Sequence, residues 1–259
     1  MLLTVFLSTT DGSVSLNHHL PVFRYPHIAL PFPPPSPLPT HSDFSETEIT
    51  GGIPPFFGKE FTSSPPVEAD LSETEISGGI PAFFSAFGKL VSLSIGSTSI
   101  SGNIPRGFSR LVNLQALRLN NNLLSGFLPD LGAAKSLRQV DVSSNFFSGA
   151  LPPSLASISN LIITGNYFSG STASFPCPDP DALSFNCFSS VPAKCKAAIT
   201  PRPANRCREF CGTGTKAGTC GGHGVCRPAW KGSNLLFSCQ CFKGFVASKN
   251  GLTCEAKSS

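Results

Sequence analysis

Residues 90–105, 114–129 and 137–152 carry one pattern three times: LVSLSIGSTSISGNIP, LQALRLNNNLLSGFLP and LRQVDVSSNFFSGALP. A shorter fourth copy, ISNLIITGNYFSG, spans residues 158–170. The copies begin at Leu90, Leu114, Leu137 and Ile158, at steps of 24, 23 and 21 residues. No single copy is long enough to bury its own apolar residues; stacked copies bury them against each other. Leu117 and Leu119 alternate with Ala116 and Arg118, which predicts a short strand in each copy. Such a chain stacks coils rather than closing a globule.

One polar slot recurs with the leucines. It holds Thr98, Asn122, Asn145 and Asn166. An amide both donates and accepts, so these residues are expected to pair with inward backbone groups where the chain turns. They are assigned to structure, not to binding. Pro105, Pro129 and Pro152 follow each strand and mark the swing to the opposite side of the coil. Two degenerate copies precede these, LSETEISGGIPAFF at 71–84 and FSETEITGGIPPFF at 44–57, with Thr74 and Thr47 at the polar slot. Six coils at the usual strand spacing stack to roughly 25–30 Å.

The endings ISGNIP, LSGFLP and FSGALP resemble the plant-specific class of leucine-rich repeats, over residues 44–170. That class builds ectodomains of plant receptor-like kinases, receptor-like proteins and polygalacturonase-inhibiting proteins. The resemblance implies a leucine-rich repeat α/β solenoid with short parallel strands and a convex side of loops and 3-10 turns. It implies a concave binding face but names no ligand.

All ten cysteines lie after residue 176. An even number in a loop-rich tail indicates a disulfide framework. CGGHGVC at 220–226 and CQCFKGF at 239–245 resemble an EGF-like module. The resemblance implies bonds Cys211–Cys226, Cys220–Cys239 and Cys241–Cys254; spacing alone does not choose among the pairings, and Cys207 is an alternative first member. Cys177, Cys187 and Cys195, with Cys207 or Cys211, fall where the stack must end and are assigned to a stapled cap. Phe185 and Phe188 of FNCF would then cover the last coil. Zinc is disfavoured because the gaps around Cys226 and Cys239 do not form Cys-x(2–4)-Cys pairs, although His223 lies among them. Calcium is disfavoured because Asn205, Arg206, Arg208 and Glu209 around Cys207 are not a hard-cation set. The expected organisation is a disordered Pro-rich segment over 1–40, repeats over 41–170, a Cys-containing cap over 171–206 and the small disulfide-rich β module over 207–259.

Charge divides along the chain. Residues 1–190 hold 8 basic and 13 acidic side chains, whereas residues 191–259 hold 11 and 2. The basic tail suits an acidic polysaccharide, an anionic membrane surface or an acidic partner, or is a solvated face. Disulfides place the chain outside the cell and argue against nucleic acid as a partner. MLLTVFL is too short and lacks the basic flank of a secretory signal, no run reaches a membrane span, and no Asn-x-Ser/Thr acceptor is present. PFPPPSPLP favours a polyproline II linker. The paired cysteines of the family's usual N-terminal cap are missing, so the chain is expected to be a fragment or to carry a wrongly assigned start.

Catalysis is not expected. GTGTKAG at 212–218 lacks the Gly-Lys-Ser/Thr ending of a phosphate loop, the kinase motifs are missing, and no Ser/His/Asp set is clustered. No cofactor is implied. The function expected is recognition of a protein, peptide or glycan through the residues that flank the inward leucines. These are Ser92, Ser94, Gly96 and Ser97, then Ala116, Arg118, Asn120 and Asn121, then Gln139, Asp141, Ser143 and Ser144. Asp70 and Glu73 add to them. Arg118 is expected diagonal to Asp141, and the face lacks aromatic anchors. Inhibition of a secreted wall-degrading enzyme and a structural cell-wall role are the alternatives.

Overall fold

A computed structural model describes residues 66–173 continuously and, around them, 7–10, 13–16, 41–45, 50–53, 175, 179–193, 196–202, 224–231, 234–241, 245–248 and 254–256. Two parallel-strand ladders enclose one apolar interior. The first contains β3 (His41–Asp43), β5 (Glu68–Asp70), β7 (Ser92–Ser94), β9 (Ala116–Arg118), β11 (Gln139–Asp141) and β13 (Asn160–Ile162), extended at one edge by β2 (Ser13–Leu16) and β1 (Leu7–Thr10). The second contains β4 (Thr50–Gly52), β6 (Glu75–Gly79), β8 (Ser99–Gly102), β10 (Leu123–Gly126), β12 (Phe146–Gly149), β14 (Tyr167–Ser171) and β15 (Cys187–Ser190). Only β1 and β2 are antiparallel neighbours in these ladders. They lie in the 1–40 segment, for which no regular structure is expected; pairing of β2 with β3 at the sheet edge accounts for the difference.

The period-2 alternation sends Leu93, Leu117 and Val140 of the first ladder into the core. From the second, Ile100, Leu124, Phe147 and Phe168 point back at them, each fully buried. The Phe147 and Phe168 rings stack at 6.1 Å. Pro81, Pro105 and Pro152 immediately precede 3-10 turns at Ala82–Ala86, Arg106–Arg110 and Pro153–Ser157, where fixed φ and a missing N–H end strand pairing. Phe127 is not core: it is 47% exposed, at the repeat slot that holds the exposed Asn103 and Ala150 in neighbouring coils. Its ring lies across Gly149, where an added Cβ would sit 2.5 Å from the ring.

Buried asparagines stitch coil to coil. Asn145 Nδ2 donates to the Leu119 carbonyl of the preceding coil at 2.8 Å and to Val142 and Ser143 carbonyls of its own turn. Its Oδ1 accepts from Leu124 N–H at 3.0 Å. Asn122 and Asn166 repeat this geometry; at the same slot the Thr74 hydroxyl donates within its own turn to Leu71 O and the Thr98 hydroxyl donates to Asn122 Oδ1 of the following coil. Thr47 lies outside the described residues.

The stack continues past residue 170. Asn186 Nδ2 donates to Ile163 O at 3.0 Å, and its Oδ1 accepts from Phe168 N–H. Residues 183–190 therefore form another coil, not a cap laid over the last one. Phe188 packs on the core, but Phe185 is exposed. The next step places Ile199 inward and Arg202 at the asparagine slot. Arg202 Nε donates to Asn166 O and Phe185 O at 3.0 and 3.2 Å, and its guanidinium lies 4.1 Å from the Tyr167 ring centroid.

The C-terminal part forms two hairpins, β16 (Gly224–Lys231) with β17 (Asn234–Cys241) and β18 (Phe245–Ala247) with β19 (Cys254–Ala256). Cys241 and Cys254 are bonded, and Cys187 and Cys239 are also in disulfides. Cys177, Cys195, Cys207, Cys211 and Cys220 lie outside the described residues; for Cys226 only the backbone is described, opposite Cys239. The hairpins lie on the outer face of the second ladder. Tyr167 and Cys254 are buried there together, with Phe146, Cys187, Cys239, Cys241 and Phe245 around them. The same outer slot holds Glu75 and Ser99 in earlier coils, both exposed. The change from polar to aromatic along this stripe follows the area that the hairpins cover.

Asn145→Ala leaves Leu124 N–H and the Leu119 carbonyl without the partners described. It should lower stability by about 2–4 kcal/mol in urea unfolding, against less than about 0.5 kcal/mol for the surface change Asn120→Ala. Tyr167→Ser should expose residues 224–256 to limited proteolysis while the repeats stay resistant.

Candidate functional site: the outer face of the first ladder

Strand register arranges the outward side chains in rows. Glu68, Ser92, Ala116, Gln139 and Asn160 are successive neighbours in one row. Asp43, Asp70, Ser94, Arg118, Asp141 and Ile162 form the next. Ser72, Gly96, Asn120, Ser143 and Thr164 follow where each strand ends. Arg118 and Asp141 are direct Cα neighbours, not diagonal ones. The Arg118 guanidinium instead reaches diagonally to Gln139 Oε1 at 2.7 Å.

A repeated local turn orients the carboxylates. Asp43, Asp70 and Asp141 each accept, through Oδ1, the backbone N–H of a serine two residues on, at 2.9, 2.9 and 3.0 Å. Ser45 and Ser143 hydroxyls donate to the same oxygens at 2.6 and 2.7 Å. Ser72 turns instead to Ser94, with the hydroxyls 2.6 Å apart. These contacts are Asx turns, which fix an acidic side chain at a strand end. Their sequence signal is Asp-x-Ser, at 43–45, 70–72 and 141–143. It recurs at one slot of the repeat and is missed when only apolar periodicity is followed.

Ser92, Ala116, Arg118, Asn120, Gln139, Asp141 and Ser143 are all partly accessible on this one face, and Ser94 is 7% exposed. Among the described residues its titratable groups include the Asp43, Asp70 and Asp141 carboxylates and the Arg118 guanidinium. Among the described residues no group of three His, Cys, Asp or Glu side chains is placed to hold a metal ion. An aromatic that sequence reasoning assigned to the cap, Phe185, stands at the C-terminal rim of this face, 47% exposed.

Residues 113–133 and 136–158 match the Leucine Rich Repeat family model. The fold is a leucine-rich repeat solenoid with a small antiparallel, disulfide-bearing module. No curated protein is matched by the chain. Similar solved structures include the Arabidopsis receptor kinase HAESA in complex with the peptide hormone IDA and the co-receptor SERK1, at 33% identity and TM-score 0.46 over 49% of this chain and 21% of that one. The plant peptide hormone receptor RGFR1 in complex with RGF2 is 31% identical, with TM-score 0.49, over 57% and 24%. A plant ice-binding protein is 28% identical, with TM-score 0.45, over 57% and 56%. The chain thus spans about a fifth to a quarter of those two receptors. These TM-scores are below 0.5, and the fold rests on the ladders and the matched repeats.

Gly96 marks how closely neighbouring coils approach on this face: a Cβ there would lie 2.7 Å from Asn120 Oδ1. Gly96→Val should displace the Asn120 side chain and lower the thermal midpoint by a few degrees, whereas Ser97→Gly, at a positive φ of 55°, should leave it unchanged or raise it.

Proposed function

We propose that the protein is a non-catalytic extracellular recognition module, which binds an extended polypeptide on the outer face of the first ladder. The observation that carries this reading is the regular polar face itself. In β5, β7, β9 and β11 of the first ladder the apolar side chains Ala69, Leu93, Leu117 and Val140 are turned into the core, and the outward rows present Asp, Arg, Gln, Asn and Ser at one repeating strand spacing. An extended backbone laid across such rows meets a donor or acceptor at each step. The disulfides and the basic C-terminal segment suit an extracellular setting. Among the described residues no helix is long and apolar enough to cross a membrane. Acidic polysaccharide at residues 191–259 is a second partner class that the charge of that segment favours.

Selection of a displayed random-peptide library on the immobilised full chain tests the reading. Saturable binding of enriched peptides is expected, and Arg118→Glu should weaken it on the order of tenfold. Ser99→Ala, on the other ladder, should not change it. Failure to enrich peptides, or enrichment indifferent to Arg118→Glu, contradicts the assignment.

A further inference from the structure

The residue that ends each turn of the outer face has a positive φ throughout the stack. It is Glu73, Ser97, Asn121, Ser144, Gly165 and then Phe185, whose φ is 55°. Glycine and asparagine tolerate this region; a phenylalanine is disfavoured there. The surrounding backbone holds it in place. Phe185 N–H donates to the Thr200 carbonyl at 2.6 Å, and its own carbonyl accepts from Arg202 Nε. Phe185 is not part of the core cluster and is 47% exposed, whereas Phe188 packs inward. An exposed ring held in an unfavourable backbone conformation belongs to function more readily than to folding.

The neighbouring coil makes room beside it. Side chains along this row meet one another, as Asn121 Nδ2 and Ser97 Oγ do at 3.4 Å. Gly165 interrupts the row, so this row places no side chain of its own between Ser144 and Phe185. The opening spans about two strand spacings, roughly 10 Å. A Cβ on Gly165 would meet Ser144 backbone atoms at 3.5 Å, an ordinary contact, so packing does not demand the gap.

We propose that Phe185 is the apolar anchor of the recognition face, and that the opening over Gly165 seats one aliphatic or aromatic side chain of the bound peptide. The proposal rests on the polypeptide-recognition reading above and adds its specificity. Charge sets the rest of the ligand. Asp43, Glu68, Asp70 and Glu73 stand at the far end of the face, so the complementary peptide is cationic there. From Glu73 to Phe185 is five strand steps, about 24 Å, which an extended peptide covers with about seven residues. A uniformly anionic glycan meets the wrong charge at one end and has no side chain for the other.

Two substitutions compatible with the backbone test this: Phe185→Asn, and Gly165→Asn to fill the opening. Both should fold, with thermal midpoints unchanged or, for Phe185→Asn, raised. Peptides selected on the wild-type full chain should carry Lys or Arg near one end and an apolar residue about seven positions away. Both variants should weaken their binding about tenfold or more. Selection repeated on Phe185→Asn should keep the basic preference and lose the apolar one. If Arg118→Glu weakens binding but Phe185→Asn changes neither affinity nor the selected pattern, the anchor is overturned and the recognition reading stands. Loss on Phe185→Asn without loss on Gly165→Asn overturns the seat over Gly165. If none of the three substitutions matters, both proposals fall.

Discussion

The buried asparagine amide is the interaction on which the stack depends. A parallel ladder pairs strands, but the turn between the two ladders would leave inward N–H and C=O groups without partners. Orphaned groups of that kind carry a penalty of roughly 1–3 kcal/mol each. Asn122, Asn145, Asn166 and Asn186 each satisfy a carbonyl of the preceding coil and an N–H beyond it. One side chain thereby fixes both the internal turn of its coil and the register to its neighbour. Leucines supply the driving force, but they do not choose register on their own.

A rigid stack frees the outer face to vary. Asp43, Asp70 and Asp141 are held by serines of their own turns, so their orientation does not depend on neighbouring coils. Ser94 and Arg118 take up the same slot between them with different chemistry. The proposed recognition face is thus a surface most of whose side chains can change without touching the interior. The outer face of the second ladder has the opposite fate in its later coils. Tyr167 is buried there against Cys254, so the disulfide-bearing hairpins and the repeats share one interface.

The first ladder was legible from the alternation around Leu117 and Leu119, and the asparagine slot from its chemistry. The second ladder was not, because its strands are short segments such as LLSG and FFSG, in which two adjacent apolar residues hide the alternation. The coil at Asn186 is hidden in the sequence because its neighbour Cys187 signals disulfide chemistry and because the repeat shortens to 20 residues from Asn166. Phe185 was misplaced for the same reason. Its position in the repeat, not its hydrophobicity, decides that it points outward. Phe127 shows the same limit: the sequence shows an aromatic, but only the geometry shows its ring lying across Gly149.

Amide hydrogen exchange at Leu124, Phe147 and Phe168 tests the central claim most directly, since each N–H is donated to the amide oxygen of the following coil's asparagine. All three should exchange near the global unfolding limit, and replacing Asn186 by Ala should speed Phe168 first while Leu124 stays protected. Rapid exchange at all three in the unmodified protein, or no selective effect at Phe168, would contradict a stack held in register by its asparagines.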